Sequence, residues 1–252
     1  MEQRYGLLDK YLSQVEAFGF SGAVLVGQGD QIEFKKAYGF SNIEKNLLSQ
    51  TDTIYDMGSI TKPFTAVAIM KLIQDNKLSL EDRLADILND KQNWSKEKQD
   101  ITIHHLLTHT AGIKDTVGDD YLVETTEEVL NRINNQPLLS KPGTEYRYAN
   151  DGYTLLTMVL EKVTGQEYEE HMHQHIFAPL GMKETGYKIP KWNRSKISNG
   201  YVNFRNFGHP LEKCYPSWAL KGNGGMLSTL EDMFRWHKAL VNYEILDKKT
   251  TE

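Results

Sequence analysis

The first apolar residues recur at helical spacing. Over residues 2–17 they form one stripe, which predicts an amphipathic helix. At Phe20 the pattern changes to a run of strand composition, Phe20-Ser21-Gly22-Ala23-Val24-Leu25-Val26. Gly27-Gln28-Gly29-Asp30 and a second strand near residues 31–38 follow, and the pair reads as an antiparallel hairpin. From Ser59 to Asn76 helical spacing returns, with Phe64, Val67, Ala68, Met70, Leu72 and Ile73 on one broad face. Further helices are predicted over residues 102–107, 126–134, 150–164 (closed by Gly165), 166–177 and 228–240. In the last, Ser228 or Thr229 can cap and Glu231 or Asp232 suits the first turn. Short strands are expected near residues 198–203.

The order is thus an α+β one, with a helix and first strands in residues 1–57 and a mainly helical part in residues 58–241. Two strands alone make a marginal sheet. Either residues 198–218 supply more, or the sheet is completed by chain outside these 252 residues. No internal repeat, low-complexity tract or Pro/Gly/Ser-rich linker interrupts the chain.

Chemistry enters at Gly58-Ser59-Ile60-Thr61-Lys62-Pro63, where Ser-x-x-Lys places both side chains on one face, a helical turn apart. The spacing recurs by chance at Ser95-Lys96-Glu97-Lys98, inside the charged stretch Lys91 to Asp100, which reads as a solvated loop. Ser59 differs in opening an apolar helix. Proline is tolerated only in a first turn, so Pro63 ties the helix start to Ser59. Backbone N–H groups and the positive dipole end there stabilise negative charge developing during attack. The same place equally suits a serine that merely caps a helix. A nucleophilic serine needs a base, and lysine serves as one only when burial or a nearby cation lowers its pKa. Lys62, on an apolar helix, is placed for that; a surface lysine is the alternative.

A second segment, Lys141-Pro142-Gly143-Thr144-Glu145-Tyr146-Arg147-Tyr148-Ala149-Asn150, runs from a turn through aromatic residues into a helix start. Together with Gly58 to Thr65 it resembles the serine β-lactamase and penicillin-binding superfamily, in the branch of class C β-lactamases, D-aminopeptidases and related esterases. Ser59-Ile60-Thr61-Lys62 is similar to that branch's nucleophile motif and Tyr148-Ala149-Asn150 to its Tyr-x-Asn element. A chance copy, Tyr201-Val202-Asn203, lacks the flanking context. Three further landmarks fall in order: the stretch from Ile101 to Ile113, Pro179-Leu180-Gly181-Met182, and Gly224-Gly225-Met226. The resemblance spans residues 20–240.

It implies a β-lactamase/transpeptidase-like fold, an antiparallel sheet flanked by helices plus an all-helical region. It also implies an acyl-enzyme on Ser59, proton traffic shared by Lys62 and Tyr148, and a hydrogen bond from Asn150 to the acyl side of the substrate. A nearby ammonium stabilises a phenolate, so Tyr148 can serve as base and relay. The implied substrate is a small molecule or short peptide: an ester, a D-amino-acid peptide or a β-lactam. No cofactor or metal is implied.

The family's third motif, Lys or His then one residue then Gly on a strand carrying the second oxyanion donor, has no match. Lys141-Pro142-Gly143 belongs to the turn before Tyr148, and Lys249-Thr250-Thr251 lacks the glycine. The expectation is that the family's C-terminal strands are missing from this chain. Because one lost oxyanion donor costs about a hundred- to a thousand-fold in rate, the chain alone is expected to be weakly active or inactive. That leaves a non-catalytic penicillin- or peptide-binding protein, or an inactive fragment, as the competing reading.

Other candidates add less. His171 and His175 share a helix face, yet no third metal ligand is apparent and a solvated face is expected. His104, His105 and His109 lie within a landmark and read as structural; Gly222-Asn223-Gly224-Gly225 reads as a turn bringing backbone to the pocket. The single cysteine, Cys214, excludes an internal disulfide and reads as a small core residue. With 39% hydrophobic and 25% charged residues the composition is that of a globular protein. A net charge of −5 without a basic stripe argues against nucleic acid. No apolar run reaches membrane-spanning length. The start lacks a secretory signal, which fits a cytoplasmic protein or one whose signal has been removed.

Overall fold

In the computed structural model, residues 2–88, 94–116, 120–203, 205–212 and 216–252 are described. The place expected of Cys214 lies outside them. Helix α1 (Glu2–Glu16) precedes the expected hairpin of β1 (Gly22–Gln28) and β2 (Gln31–Tyr38), antiparallel from Gly22↔Tyr38 to Gln28↔Gln31. Polar contacts tie α1 to β2: Lys36 Nζ to Asp9 Oδ1 at 2.5 Å, and Tyr38 OH donating to the same oxygen at 2.9 Å. The register shifts between Val26 and Gly27. A Cβ on Gly27 would stand 2.4 Å from the Phe234 ring, so the glycine lets the last long helix approach the hairpin.

Three short pairings were not legible in the pattern: β3 (Phe40–Asn42) with β4 (Leu47–Leu48), β5 (Tyr55–Asp56) with β8 (Leu227–Ser228), and β7 (Arg205–Gly208) with β6 (Gly200–Val202). Of these strands β6 falls where one was expected, and β7 lies within the 198–218 stretch offered as a source of more strands, although the two pair with each other and not with the β1–β2 hairpin. Two residues cannot display alternation, and β5 finds its partner through the tertiary fold rather than through a turn. That pairing positions the site. It sets the segment before Ser59 beside the one after Gly225, with Met57 N donating to Met226 O at 2.8 Å.

Helix α2 (Thr61–Gln74) buries Phe64, Ala68, Ile69 and Leu72, whereas Val67, Met70 and Ile73 are partly buried at the edge of that face. Phe64 meets Phe177 edge-on at 5.5 Å and Trp236 at 4.5 Å. Its full burial contributes about 2–3 kcal/mol. Short helices α3 (Leu84–Ile87) and α4 (Ile103–Leu107) follow. Helices α5 (Thr126–Asn134) and α6 (Asn150–Thr164) have the expected bounds, α6 ending on left-handed Gly165 at φ 68°. Residues 151–160 of α6 are all buried, making it the axis against which α2 and α4 pack.

The helix expected over residues 166–177 is α7 (Tyr168–Met172), continued by one π-helical turn, His173–Phe177. Helix α8 (Leu230–Val241) is capped by Thr229, whose hydroxyl accepts from Asp232 N, and α9 (Lys248–Thr251) ends the chain. Among the described residues no helix is long and apolar enough to cross a membrane.

Two surface readings are corrected. The charged stretch ending at Asp100 is not simply solvated, since Trp94 and Lys98 are buried. Lys98 Nζ donates to the carbonyls of Ile133 (3.2 Å), Asn134 (2.5 Å) and Gln136 (2.5 Å), satisfying the C-terminal end of α5. Composition suggests water as the partner of a lysine; the orphan carbonyls of a helix end compete for it.

His171 is likewise buried, not on a solvated face. Its Nδ1 lies 2.9 Å from Gln166 Oε1 and its ring 4.4 Å from that of His175. Burial, and then the positive field of His175, push its pKa down to about 4. Below the ordinary histidine range near 6.5 the unfolded chain therefore takes up a proton that the folded one refuses. Unfolding free energy, read by urea titration, is expected to fall as pH drops from about 6.5 to about 4. His171→Gln should flatten that limb. Among the described residues no group of three or more His, Cys, Asp or Glu side chains is placed to hold a metal.

Candidate active site

The β5–β8 pairing delivers the chain to a turn at Gly58, whose φ of 48° lies in the left-handed region. Gly58 N donates to Asp56 Oδ1 at 2.7 Å, and Ile60 N to Met57 O at 3.0 Å. Between them the N–H of Ser59 is uncommitted among the described residues. Ser59 sits in a single 3-10 turn, Gly58–Ile60, that feeds directly into α2, with Pro63 in the first turn of that helix. The N-cap position of α2 belongs to Ile60 and has no side-chain cap, so Ser59 is not a capping serine. Its hydroxyl is exposed on a cleft of about 270 Å³ lined also by Asp56, Asp120, Asn150, Leu220 and Asn223.

Lys62 lies beneath, 4% exposed. All three ammonium hydrogens have acceptors: Ser59 Oγ at 3.1 Å, Asn150 Oδ1 at 2.7 Å and the carbonyl of Asn223 at 2.6 Å. Burial pulls its pKa below the usual lysine range, while neighbouring Tyr148 and the Asp115 carboxylate act in the other direction. Tyr148 OH donates to Ser59 Oγ at 2.7 Å, and Lys62 Nζ stands 4.8 Å from the Tyr148 ring centroid. Ser59, Lys62, Tyr148 and Asn150, found in two distant segments, therefore meet within hydrogen-bonding reach.

The loop after α4 holds the second of these segments. Arg147 N donates to His109 O at 2.7 Å, and Ala149 N to His109 Nδ1 at 3.3 Å. The His109 ring lies 4.6 Å from that of Tyr148 and 5.0 Å from that of Tyr153. His109 takes this position at a φ of 56°, and burial, followed by the Lys62 charge, lowers its pKa, favouring the neutral ring. The structural role expected of these histidines also fits His105, whose Nδ1 accepts from Thr102 N at 3.2 Å in a reciprocal helix cap.

One participant was missed, Asp115, and one, Asn223, was anticipated only as part of a turn bringing backbone to the pocket. Asp115 accepts from Asn150 N and Asn150 Nδ2, each at 3.0 Å, and from Asp151 N at 3.3 Å. It lies two residues beyond the Ile101 to Ile113 landmark, whose position was the only signal for it. Asn223 contributes a backbone carbonyl, which leaves no side-chain signature; only the glycines around it pointed there. Gly222 has a φ of 78°, and a Cβ on it would lie 1.8 Å from Thr157 Oγ1. The loop thus approaches α6 and α2 as only glycine permits, and Gly222 O accepts from Thr65 Oγ1 at 2.6 Å.

A family model described as beta-lactamase matches residues 10–252. The chain belongs to the beta-lactamase family. Its members include proteins resembling this one along most of its length. Penicillin-binding protein 4* of Bacillus subtilis is 27% identical over 256 residues, covering 94% of this chain and 56% of that protein. Protein flp of Staphylococcus aureus is 28% identical, covering 87% of this chain and 45% of that protein. The octameric penicillin-binding protein homologue from Pyrococcus abyssi superimposes with a TM-score of 0.83 at 29% identity, over 98% of this chain and 59% of that one. The beta-lactamase-like fold expected from the motifs is therefore the fold observed. The chain spans about half the length of the curated relatives it matches.

Proposed function

We propose that this chain carries the acylating centre of a serine hydrolase of the beta-lactamase family, acting on an ester, a D-amino-acid peptide or a β-lactam. The observation that carries this reading is the convergence of Lys62 Nζ and Tyr148 OH on one exposed serine oxygen, at 3.1 and 2.7 Å. Once the Lys62–Tyr148 pair has given up one of its protons, Ser59 Oγ attacks the acyl carbon and passes its own proton to the vacated position, and the pair then protonates the leaving group as its bond to the acyl carbon breaks. The Ser59 N–H supplies one oxyanion donor at the front of α2. Asn150 Nδ2 has two hydrogens; one is bound by Asp115, so the other is the donor left for the acyl side of the substrate.

The competing reading, a pocket that binds without turning over, draws on the lack of a third motif in these residues. Labelling with a fluorophosphonate and with a fluorescent penicillin separates the two. A covalent adduct mapped by mass spectrometry to Ser59, and lost in Ser59→Ala, is expected. An intact, folded protein that binds the penicillin reversibly and carries no adduct with either reagent would make it a binder.

A further inference from the structure

Asp115 sits outside both motifs, yet the arrangement around Lys62 depends on it. Its Oδ1 accepts the N–H groups of Asn150 and Asp151 at 3.0 and 3.3 Å, at the start of α6. Its Oδ2 accepts Asn150 Nδ2 at 3.0 Å. An ionised carboxylate can only accept, so this last contact obliges the Asn150 amide to turn its NH2 toward Asp115 and its oxygen the other way. There Lys62 Nζ donates to Asn150 Oδ1 at 2.7 Å. We propose that Asp115 is a positioning residue for Lys62: by deciding which way the Asn150 amide faces, and through its own charge, it holds the ammonium against Ser59.

The surroundings leave that role to Asp115. Among the described residues, the rings facing Lys62 are those of Tyr148 and Tyr153, with centroids 4.8 and 5.8 Å from Nζ, and His109 from the loop after α4, while the carboxylates of Asp56 and Asp120 line the cleft over Ser59. In this arrangement the Tyr148 hydroxyl is a donor, to Ser59 Oγ at 2.7 Å, and brings no negative charge to Lys62. Asp115 in turn faces Asp151, whose carboxylate is held by Thr116 and, at 3.4 Å, by Arg132 Nη1 from α5. Arg132 also pairs with Glu124 at 3.1 Å. The Asp151 charge is thus answered on its own side, and among the described residues Asp115 is the carboxylate whose field supports the Lys62 ammonium.

The assignment rests on the reading of Lys62 as part of the acylating centre, and its test separates the two. The titration of Lys62 is followed by NMR of lysine labelled at Cε with carbon-13, the resonance being identified by its loss in Lys62→Met. Asp115→Asn keeps an acceptor for the start of α6 but places an NH2 against that of Asn150, so the amide turns over and the ammonium loses both an acceptor and a neighbouring charge. The Lys62 midpoint is then expected to move to lower pH, and the fluorophosphonate reaction of Ser59 to slow by about a hundred-fold. Asp115→Glu, which keeps the charge, should recover part of the midpoint. Asp115→Ser, a second neutral variant that can still accept from α6, should move it as Asp115→Asn does. A midpoint unchanged in either neutral variant that folds overturns the assignment, and so does loss of the fold in both, which would make Asp115 architectural. Failure of the unmodified protein to label at Ser59 would reject the hydrolase reading while leaving the Lys62 titration measurable.

Discussion

Lys62→Met is expected to slow acylation of Ser59 by about a hundred- to ten-thousand-fold, the span that a positioned acid–base group contributes, while leaving thermal stability nearly unchanged. The catalytic loss follows because Ser59 Oγ keeps Tyr148 as a partner but loses the amine 3.1 Å away. The stability argument has two opposing parts. Removing an ammonium that is 4% exposed relieves its desolvation, and methionine fills a similar volume. Against this, Asn150 Oδ1 and the Asn223 carbonyl lose their donor, at about 1–3 kcal/mol each. The parts largely offset, so a melting temperature within about 5 °C of the unmodified protein is expected. A variant that loses labelling and also melts far lower would mean that Lys62 serves the fold first. Stopped-flow labelling and a thermal scan on the same preparation decide between them.

Gly222→Ala should do the reverse and strike the fold. Its Cβ would be driven to 1.8 Å from Thr157 Oγ1 and 3.3 Å from Thr65 Oγ1, both on buried helix faces, at a φ of 78° that alanine rarely adopts. Both hydroxyls are already committed, Thr65 to Gly222 O at 2.6 Å and Thr157 to Tyr153 O at 3.1 Å and Lys221 O at 3.3 Å, so moving either threonine aside costs hydrogen bonds. A loss of about 3–5 kcal/mol is expected, which for a chain of this size lowers the melting temperature by about 10 °C or more. Acylation falls with it, since the loop that moves carries the Asn223 carbonyl. A stable Gly222→Ala protein with normal labelling would show that this loop is not held as described.

How much of this could be read beforehand depends on the kind of signal each part leaves. Helix α6 has long apolar periodicity and a terminal Gly165, and its bounds were legible; so was the β1–β2 hairpin, whose strands are long enough to show their composition. The two-residue strands β5 and β8 carry no period, because their pairing is imposed by the helices that bring Asp56 and Leu227 together. Among the site groups, Ser59, Lys62, Tyr148 and Asn150 were legible as side chains in two recognisable segments. Asp115 was not, because an aspartate just past a landmark looks like any surface carboxylate until the NH2 of Asn150 is placed against it. Asn223 was legible only as part of a glycine-rich turn bringing backbone to the pocket, because it acts through a carbonyl that every residue possesses. Lys98 misled for a related reason: a lysine in charged surroundings reads as solvated unless the open end of α5 is known to lie over it.

The bond from Lys62 to the Asn223 carbonyl spans 161 positions of sequence, and the one to Asn150 spans 88. An ammonium buried before those acceptors arrive would be desolvated without compensation, so α2 cannot settle into its final place on local contacts alone. The chain must close these long loops first, at an entropic cost that grows with loop length and slows assembly. On the proposed function, reactivity at Ser59 would accordingly be a late event in folding. On that reading a partly folded chain, even one with α2 helical, would hold an ordinary serine, and the nucleophile would come into being only as the start of α6 and the Asn223 loop lock around Lys62.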